Sequence, residues 1–349
     1  MIINRNTIIF LWSNPGSYLV SLLDEITRFK VNVILVYWDD ISENQLITQI
    51  NSDKFQIIKR SSLNSKKLLN ILTNQCPSKI VISGWMDFEY LKAVYTYKKI
   101  NKLTKTYCAI DDQWKNTLRQ KIGTYIYKLF LNKKVFDYMW VAGSPQLYYA
   151  SNFGVKYNQV ISGLLVASSK FNGNPNKSRR FVYVGRFVNV KGIDLLISAH
   201  KLLDINIRNK WQLELIGSGP LVNIIKDSLD EFITYKGPLF GEDLALELSK
   251  GGVGCCVSLH EPWGVVVHEY CLNSMPLILS NTVGSNSEFL INELNGFIFE
   301  SSSVDGLYNS LLKIVKLSDD EYYNFGQNSK RLSTRITIND SIYKFLFHQ

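Results

Sequence analysis

The chain has 349 residues, of which 46% are hydrophobic and 20% are charged. This length predicts two domains rather than a single core, and the composition excludes an intrinsically disordered chain. No apolar run reaches the roughly 18 residues that a membrane span needs. Five cysteines without a C-x-x-C pair argue against a disulfide framework or a zinc site, and they fit a reducing compartment.

The net charge of +9 is concentrated in the first half of the chain. Residues 1–170 contain 22 Lys+Arg against 11 Asp+Glu, whereas residues 171–349 contain 17 against 19. A basic half beside a near-neutral half indicates an anionic partner, which is a membrane surface, a phosphorylated substrate or nucleic acid. Solubility alone also explains such a charge, so the alternatives stay open.

Short apolar runs alternate with helical patterns through the first half, which predicts a parallel sheet covered on both faces. The opening run TIIFLW lacks a small-residue cleavage site, and we interpret it as a strand rather than a signal peptide. Helical patterns extend to Phe29 and over 86–100 and 116–135. Predicted strands lie at 7–12, 31–38, 55–60, 79–85, 105–111, 138–144 and 159–164.

A polar stretch with Gly and Pro, ASSKFNGNPNKSRR, interrupts the pattern, after which the alternation restarts. We therefore predict an α/β chain with two doubly wound domains, at residues 1–168 and 181–335, joined by a linker at 169–180. A helix is predicted over 191–203, and the last 45 or so residues look helical. Predicted strands of the second domain lie at 181–186, 213–219, 233–237, 253–259, 276–280 and 296–300.

The stretch SLHEPWGVVVHEY places two glutamates around a turn and a helix start. Glu261 is predicted to lie in the loop at the carboxyl end of a strand, and Gly264 to open a helix that carries Glu269. Unbonded N–H groups of Gly264, Val265 and Val266 at such a start favour an anion. Carboxylates suit the vicinal diols of a sugar or ribose. A chance pair of glutamates at this spacing is the alternative.

Two cations follow the first strand of the second domain, in FVYVGRFVNVKG. Arg186 comes directly after the predicted strand, and Lys191 starts the next predicted helix. Both should lie at the ligand edge of the sheet, where two cations bind a diphosphate. Solvated loop charges are the alternative.

In the run LELIGSGPLV, Gly217 and Gly219 after a predicted strand suggest a nucleotide turn. A nicotinamide fingerprint would need a third glycine where Val222 stands, and an acid about 20 residues further on, where Lys236 stands. These two departures exclude a dehydrogenase.

In the first domain, Asp111 and Asp112 end a predicted strand at the expected ligand edge. The run after them, 115–134, is basic and aromatic. It predicts either a helix that rests on an anionic membrane or a core-packed helix with a solvated basic face. The chain has no D-x-D, and all four histidines lie in the second half. We therefore expect neither a metal clamp for a diphosphate nor a histidine base in the first domain.

Five ordered motifs, VGR…KG, LIGSGP, YKGP, SLHEPWGVVVHE and MPLILS, resemble the second domain of retaining family 4 glycosyltransferases of the GT-B fold. The match covers about residues 180 to 300 and is specific because the motifs coincide in order. The first domain matches only in outline. The resemblance implies two Rossmann-like domains facing an interdomain cleft, with a terminal helix at 336–349 that packs back on the first domain.

The resemblance also implies roles for these residues. Arg186 and Lys191 would bind the diphosphate of a nucleotide-sugar and stabilise the charge that develops as it leaves. Glu261 would hold hydroxyls of the donor sugar, and Glu269 those of the ribose. The leaving phosphate itself would take the acceptor proton, with retention at the anomeric carbon. The other donor-binding residues implied are Gly16, Gly185, Gly217, Lys236, Pro238, Gly264, Val265 and Val266.

The first domain departs from the family pattern at two loops. The family often has two glycines after the first strand, whereas this chain has SNPGSY with Gly16 alone. A histidine-aspartate pair is common in the family where Asp111 and Asp112 stand. Asp111 is therefore expected to face the reactive sugar and is counted with the catalytic residues.

We expect a cytoplasmic, metal-independent, retaining enzyme that moves a sugar from a UDP- or GDP-linked donor to a saccharide acceptor in O-antigen or capsule biosynthesis. The basic first domain predicts a lipid-linked acceptor and peripheral contact with the inner face of the cytoplasmic membrane. No cofactor and no nucleic-acid partner are expected. Two alternatives stay open: a glycoside hydrolase using Glu261 and Glu269 as acid and nucleophile, and a non-catalytic protein that binds nucleotide or nucleic acid.

Overall fold

The computed structural model describes residues 6–39, 55–174 and 178–348. The chain divides into two compact units. The first runs to Val166 and includes the chain from Ile338 onward, and the second covers Ala167–Thr337. Part of the predicted linker, 175–177, lies outside the described residues. Within the described ranges, no helix combines the length and apolar character needed to cross a membrane.

Seven strands form the sheet of the first unit: β1 (Thr7–Trp12), β2 (Asn32–Tyr37), β3 (Gln56–Lys59), β4 (Lys79–Ser83), β5 (Lys105–Ile110), β6 (Tyr138–Val141) and β7 (Val160–Ser162). Neighbouring strands are all parallel and follow the order β3-β2-β1-β4-β5-β6-β7. Every one lies within a predicted run, so the predicted parallel sheet is confirmed. The strand order reverses between β1 and β4.

Helices of the first unit cover the sheet: α1 (Ser17–Thr27), α2 (Ser65–Gln75), α3 (Phe88–Ile100), α4 (Leu118–Ile126) and α5 (Ser144–Asn152). Helix α2 was not predicted from the sequence, because it buries only Leu68 and Leu72 and its sequence is otherwise mostly polar. The helix predicted over 116–135 is shorter, because a π-helical turn follows α4 and Lys133 adopts a left-handed φ of 63°.

Six strands form the sheet of the second unit: β8 (Arg180–Arg186), β9 (Gln212–Ser218), β10 (Ile233–Gly237), β11 (Val253–Cys256), β12 (Leu277–Ser280) and β13 (Gly296–Phe299). They are parallel, in the order β10-β9-β8-β11-β12-β13, so the order reverses between β8 and β11. The predicted strands are confirmed, although β11 is three residues shorter than expected. Cys255 and Cys256 are buried in the core.

The remaining helices follow in chain order: α6 (Ile193–Lys201), α7 (Ile205–Lys210), α8 (Val222–Asp227), α9 (Gly241–Ser249), α10 (Val265–Leu272), α11 (Asn286–Phe289), α12 (Val304–Val315), α13 (Asp319–Ser333) and α14 (Ile338–Phe347). The last of these, α14, packs on the first unit. Phe345 is fully buried and stacks on Trp140 at 4.3 Å between ring centroids, with Tyr107 edge-on at 5.2 Å. Ser341 donates a hydrogen bond to the carbonyl of Gly163.

A cluster of ion pairs joins β8, β9 and β10 to α9. Arg180 contacts Glu214 and lies 2.6 Å from Oε1 of Glu247. The Nζ atoms of Lys236 and Lys250 lie 3.1 Å and 2.7 Å from the same carboxylate. Burial alone would raise the pKa of Glu247, but hydrogen bonds from Lys250, Arg180 and Lys236 hold it at about 2. Because this pKa lies below the unfolded value of 4.5, the cluster stabilises the fold above pH 4.5 and loses this contribution as the pH falls toward 2.

We predict that Glu247→Gln lowers the free energy of unfolding by about 3 kcal/mol at pH 7, because it removes the charge that offsets buried Arg180. The deficit should shrink as the pH falls below 4.5. Urea unfolding at several pH values measures both effects. Glu242→Gln is the matched control on the same helix, since Glu242 is 85% exposed in its pair with Lys170, and we expect a change within about 1 kcal/mol. Equal losses in the two variants would contradict the prediction.

Candidate functional site

The candidate site lies where the strand order of the second unit reverses. In an open parallel sheet, ligands bind outside the carboxyl ends of the strands at this point. Arg186 ends β8, a short 3-10 turn after it carries Lys191, and the loop after β11 carries Glu261. Since β8 and β11 are adjacent, residues far apart in sequence come together there.

An ion pair joins the two loops at this edge. The ammonium of Lys191 contacts the carboxylate of Glu261, and the two side chains are 18% and 12% exposed. A backbone hydrogen bond of 2.8 Å from Leu259 to the carbonyl of Val190 ties the same loops together. Arg186 is exposed at the end of its strand. The sequence predicted that these three charged residues share one edge of the sheet, and the strand order accounts for it.

The loop that carries Glu261 is held by the loop after β12. The backbone of Glu261 pairs with Val283, and Gly284 donates a 3.0 Å hydrogen bond to the carbonyl of Glu261. Ser285 donates a 2.9 Å hydrogen bond to the carbonyl of Trp263. The indole of Trp263 is 1% exposed. Together these contacts fix the backbone on both sides of Pro262.

Helix α10 begins at Val265, as the sequence predicts, with Gly264 at its N-cap. Gly264 has a φ of 89°, which disfavours other residues, and a Cβ there would lie 3.0 Å from Cγ of Glu261. No side chain caps the helix. In the described part of the chain, no hydrogen bond occupies the N–H groups of Gly264, Val265 and Val266. Such groups form an anion-binding surface beside Glu261.

Glu269 lies in the second turn of the same helix and is 8% exposed. Side chains of a helix lean toward its N-terminus, so the carboxyl group of Glu269 leans toward the first turn of α10. Burial raises the pKa of Glu269 to about 7, and among the described residues no hydrogen bond or charge offsets this effect. A buried carboxylate without donors favours a ligand that brings hydroxyl donors.

Two glycines, Gly185 and Gly217, and the turn after β10 lie further along this edge of the sheet. Gly185 precedes Arg186 in β8 and pairs with Gly217 in β9. A Cβ on Gly217 would lie 1.8 Å from the carbonyl oxygen of Gly185, so only glycine allows the strands to close here. Pro238 is exposed after β10. The ammonium of Lys236 does not join this group, because it lies in the ion-pair cluster of Glu247.

In the first unit, the predicted residues also lie at the carboxyl ends of strands. Gly16 is the N-cap of α1, directly after β1, and the ring of Tyr18 covers it. Asp111 is exposed after β5. Burial and then the charge of Asp111 raise the pKa of Tyr18, which indicates that the two loops are close neighbours. Gln146 of α5 donates a 2.8 Å hydrogen bond to the backbone carbonyl of Asp111.

Two of the histidines have structural roles. His268 accepts a 3.1 Å hydrogen bond at Nδ1 from Ala167, so its Nε2 donates to the carbonyl of Ser333 at 3.0 Å. Burial lowers the pKa of His268 to about 4. His200 is equally buried, contacts the carbonyl of Trp211 at 2.8 Å, and also has a pKa lowered to about 4 by burial. Neither ring is placed to act as a base at the edge of the sheet.

The residues that position this site were not predicted from the sequence. Trp263 anchors the turn, and Val283, Gly284 and Ser285 hold it from the neighbouring loop. The run of small and polar residues NTVGS, directly after a strand next to β11, was the available signal.

We predict that Glu269→Gln changes how stability depends on pH. The folded pKa of about 7 exceeds the unfolded value of 4.5, so the wild-type protein loses stability between these two pH values, because the unfolded chain releases this proton while the folded carboxyl group retains it. The loss should be about 3 kcal/mol, and Gln should abolish it. The difference in unfolding free energy between variant and wild type, measured from pH 4.5 to 8, checks this. A constant difference across that range would contradict a raised pKa.

The sequence of this chain is similar to those of known glycosyltransferases. The family model "Glycosyl transferases group 1" matches residues 167–332. An uncharacterized glycosyltransferase of Methanocaldococcus jannaschii, MJ1178, is 28% identical over 161 residues, and a second one from the same organism is 28% identical over 130 residues. The first match covers 45% of this chain and 43% of that protein. The second match covers 36% of this chain and 32% of that protein. Each match therefore spans less than half of the relative's length.

Solved structures match almost the whole chain at low identity. The Anabaena protein HepE, in complex with UDP and glucose, has a TM-score of 0.74 at 12% identity and covers 97% of this chain and 98% of its own. A sucrose-phosphate synthase from Thermosynechococcus elongatus has 0.73 at 16%, covering 98% and 97%. WaaG, a glycosyltransferase involved in lipopolysaccharide biosynthesis, has 0.65 at 11%, covering 97% and 98%. The chain therefore has the GT-B fold of two parallel-sheet units, and its residues 167–332 match the model of group 1 glycosyl transferases.

Proposed function

We propose that this protein is a glycosyltransferase that uses a nucleotide-sugar donor. The observation that carries the proposal is the grouping at the β8/β11 edge. The Lys191–Glu261 ion pair, the uncapped start of α10 and the buried carboxyl group of Glu269 all belong to one edge of one sheet. A nucleotide-sugar presents a diphosphate between two sets of hydroxyls, and this grouping offers a partner for each part.

The proposed roles follow the charge of each group. Arg186 and Lys191 bind the diphosphate together with the N–H groups of α10, and they stabilise the negative charge that grows as the sugar leaves. Glu261 accepts hydrogen bonds from hydroxyls of the reacting sugar. Glu269 accepts hydrogen bonds from the ribose hydroxyls, which lower its raised pKa by favouring the ionised form. In the two-domain division, residues 181–335 hold the donor and residues 1–168 hold the acceptor.

The remaining donor contacts are proposed from backbone position. Gly185 and Gly217 leave room beside Arg186, and the turn from Lys236 to Pro238 lies near the base, with the Lys236 ammonium engaged elsewhere. Gly16 contributes from the loop after β1. Asp111 faces the reacting sugar. These roles rest on the resemblance and on the position of each residue at the carboxyl end of its strand.

For the reaction we propose retention at the anomeric carbon without a metal. The bond between the anomeric carbon and the diphosphate oxygen breaks, and an acceptor hydroxyl forms a bond to the same face of that carbon. The leaving diphosphate takes the hydroxyl proton. Two cations and helix N–H groups can stabilise the leaving charge electrostatically, and this arrangement requires no side-chain base.

The donor is proposed to be UDP- or GDP-linked, and the acceptor a lipid-linked saccharide in surface polysaccharide biosynthesis. Support for the donor comes from HepE, whose structures contain UDP, UDP and glucose, or UDP-glucose. Support for the pathway comes from WaaG and its involvement in lipopolysaccharide biosynthesis. The hydrolase alternative accounts for a raised pKa at Glu269, but it leaves Arg186, Lys191 and the uncapped helix start unexplained.

We predict a split between two alanine variants, measured by calorimetry with UDP- and GDP-sugars and by turnover with acceptor. Glu269→Ala should weaken nucleotide-sugar binding roughly tenfold to a hundredfold, because two hydrogen bonds to a charged group are lost. Glu261→Ala should lower turnover about a hundredfold with affinity nearly unchanged. The control is Glu242→Ala, whose side chain is 85% exposed.

Two outcomes would contradict this division. Equal losses of affinity in Glu261→Ala and Glu269→Ala would remove the separate roles. Unchanged nucleotide affinity in Glu269→Ala, together with release of free sugar from an oligosaccharide, would favour the glycoside hydrolase.

We also propose that the outer face of α4 contacts an anionic membrane. This face, which includes the π-helical turn after α4, carries large apolar side chains that are 41–74% exposed: Leu118, Ile122, Tyr125, Ile126, Leu129 and Phe130. Their spacing of three or four residues forms one stripe along the helix.

The opposite face packs on the core through Tyr127 and Leu131. Basic residues flank the stripe, at Arg119, Lys121, Lys128, Lys133 and Lys134. Apolar and basic side chains together favour an anionic lipid surface over water.

We predict that Leu129→Ser combined with Phe130→Ser weakens binding to phosphatidylglycerol vesicles at least about tenfold, because each side chain buries apolar area worth about 1–2 kcal/mol. Vesicle sedimentation at 50 and 300 mM NaCl measures binding and its salt dependence. Ile224→Ser with Leu246→Ser is the control, since both residues are more than 60% exposed in the second unit. Binding that is indifferent to lipid charge or equal in both double variants would contradict the proposal.

A further inference from the structure

A cavity of about 460 Å³ lies in the first unit, at the carboxyl ends of its strands. Its side chains come from the loops and turns after β2, β3 and β4, all within the first unit. The side chains that matter are Trp38, Asp39, Arg60, Asp87, Phe88 and Glu89. We name this cavity the Trp38 pocket. Its volume is in the range of cavities that bind small molecules.

The inner wall of the Trp38 pocket is built around Asp87, whose side chain is 8% exposed. Arg60 binds it with two hydrogen bonds, 2.8 Å from Nε and 3.2 Å from Nη2, and the indole N–H of Trp38 donates at 2.9 Å. Backbone N–H groups of Glu89 and Tyr90 donate to Oδ1, the oxygen that Nη2 of Arg60 also contacts, at 2.9 and 3.0 Å. These contacts hold the indole ring and the guanidinium in fixed positions, which is what a preorganised binding wall needs.

Other side chains of the pocket have capacity for a ligand. The ring of Phe88 is 70% exposed. Asp39 accepts hydrogen bonds of 2.9 and 2.5 Å from the backbone and hydroxyl of Ser61, and Glu89 accepts one from the backbone of Ser65. A carboxylate has about four acceptor positions, so each is oriented by the protein and can still accept hydroxyl donors from a ligand.

The charge of the pocket indicates the class of ligand. Among the described residues that line the pocket, the carboxylates of Asp39, Asp87 and Glu89 face the guanidinium of Arg60, so these four side chains carry a formal charge of −2. This acidic pocket lies in a half of the chain whose net charge is +11 from 22 basic and 11 acidic residues. A phosphate or a carboxylate ligand would be repelled. Aromatic faces and oriented carboxylates instead suit the C–H face and the hydroxyl groups of a sugar ring.

We propose that the Trp38 pocket binds an uncharged sugar unit and that this unit belongs to the acceptor. The first part stands on the pocket itself, and the second part rests on the proposed glycosyl transfer. The pocket then selects acceptors by the sugar that they carry at this position.

The test uses the full-length protein with methyl glycosides of glucose, galactose, mannose and N-acetylglucosamine, and with glucose 6-phosphate as the anionic probe. Saturation-transfer NMR and calorimetry measure binding. At least one methyl glycoside should bind more tightly than glucose 6-phosphate. Phe88→Ala and Asp39→Asn should each weaken that binding roughly fivefold to tenfold, through loss of stacking or of a charged acceptor. Tyr157→Ala, at a side chain that is 89% exposed in the same unit, should leave it unchanged.

Three results would overturn the proposal: no methyl glycoside binds, glucose 6-phosphate binds best, or all three variants bind like the wild type. Melting temperatures establish that the variants are folded, and the exposed position of Phe88 makes its truncation safe for the fold. Titration of the same wild-type sample with UDP- and GDP-sugars separates the two proposals. Glycoside binding without nucleotide-sugar binding defeats the proposed function alone, and the reverse pattern defeats the pocket alone.

Discussion

Parallel strand pairing is the constraint from which the candidate site follows. Each parallel strand needs a crossover, so all loops that leave the carboxyl ends of one sheet emerge at the same edge. In the second unit, successive crossovers change direction between β8 and β11. Lys191 and Glu261, seventy residues apart in sequence, therefore form an ion pair at the edge of the sheet. The first unit repeats this logic between β1 and β4. Gly16 lies in the loop after β1, and Asp111 follows β5, the strand next to β4.

Within one short stretch of chain, the fold gives two glutamates different environments. Glu261 is paired with a cation in a loop that is held on both sides, whereas Glu269 is buried in a helix and has a pKa raised to about 7. Carboxylates that lie in different environments commonly have separate roles. The contrast supports one carboxylate oriented for the reacting sugar and one whose ionisation depends on a ligand. It argues against two carboxylates that act as one acid and base pair.

The sequence predicted the strands well because buried parallel strands are continuous apolar runs bounded by turn residues. It predicted α10 and the position of Glu269 because Pro262 and Gly264 mark a sharp turn before a helix. It missed α2, whose short apolar face is hidden in a polar sequence. It also could not anticipate that Lys236 is drawn to Glu214 and Glu247. Such long-range partners depend on strand order and side-chain reach, which local patterns do not encode.

Charge in the first unit shows why a net value does not identify a ligand. The excess of basic residues acts at long range and favours an anionic surface, and the outer face of α4 combines such residues with exposed apolar side chains. The described lining of the Trp38 pocket has the opposite sign, because Asp87 is paired with Arg60 while Asp39 and Glu89 accept hydrogen bonds from backbone and hydroxyl groups. A lipid-linked saccharide has both kinds of group: an anionic lipid end and uncharged sugar rings. Under the proposed function, the basic apolar face would meet the lipid end and the acidic aromatic pocket would hold a sugar ring, so each feature would account for one part of the acceptor.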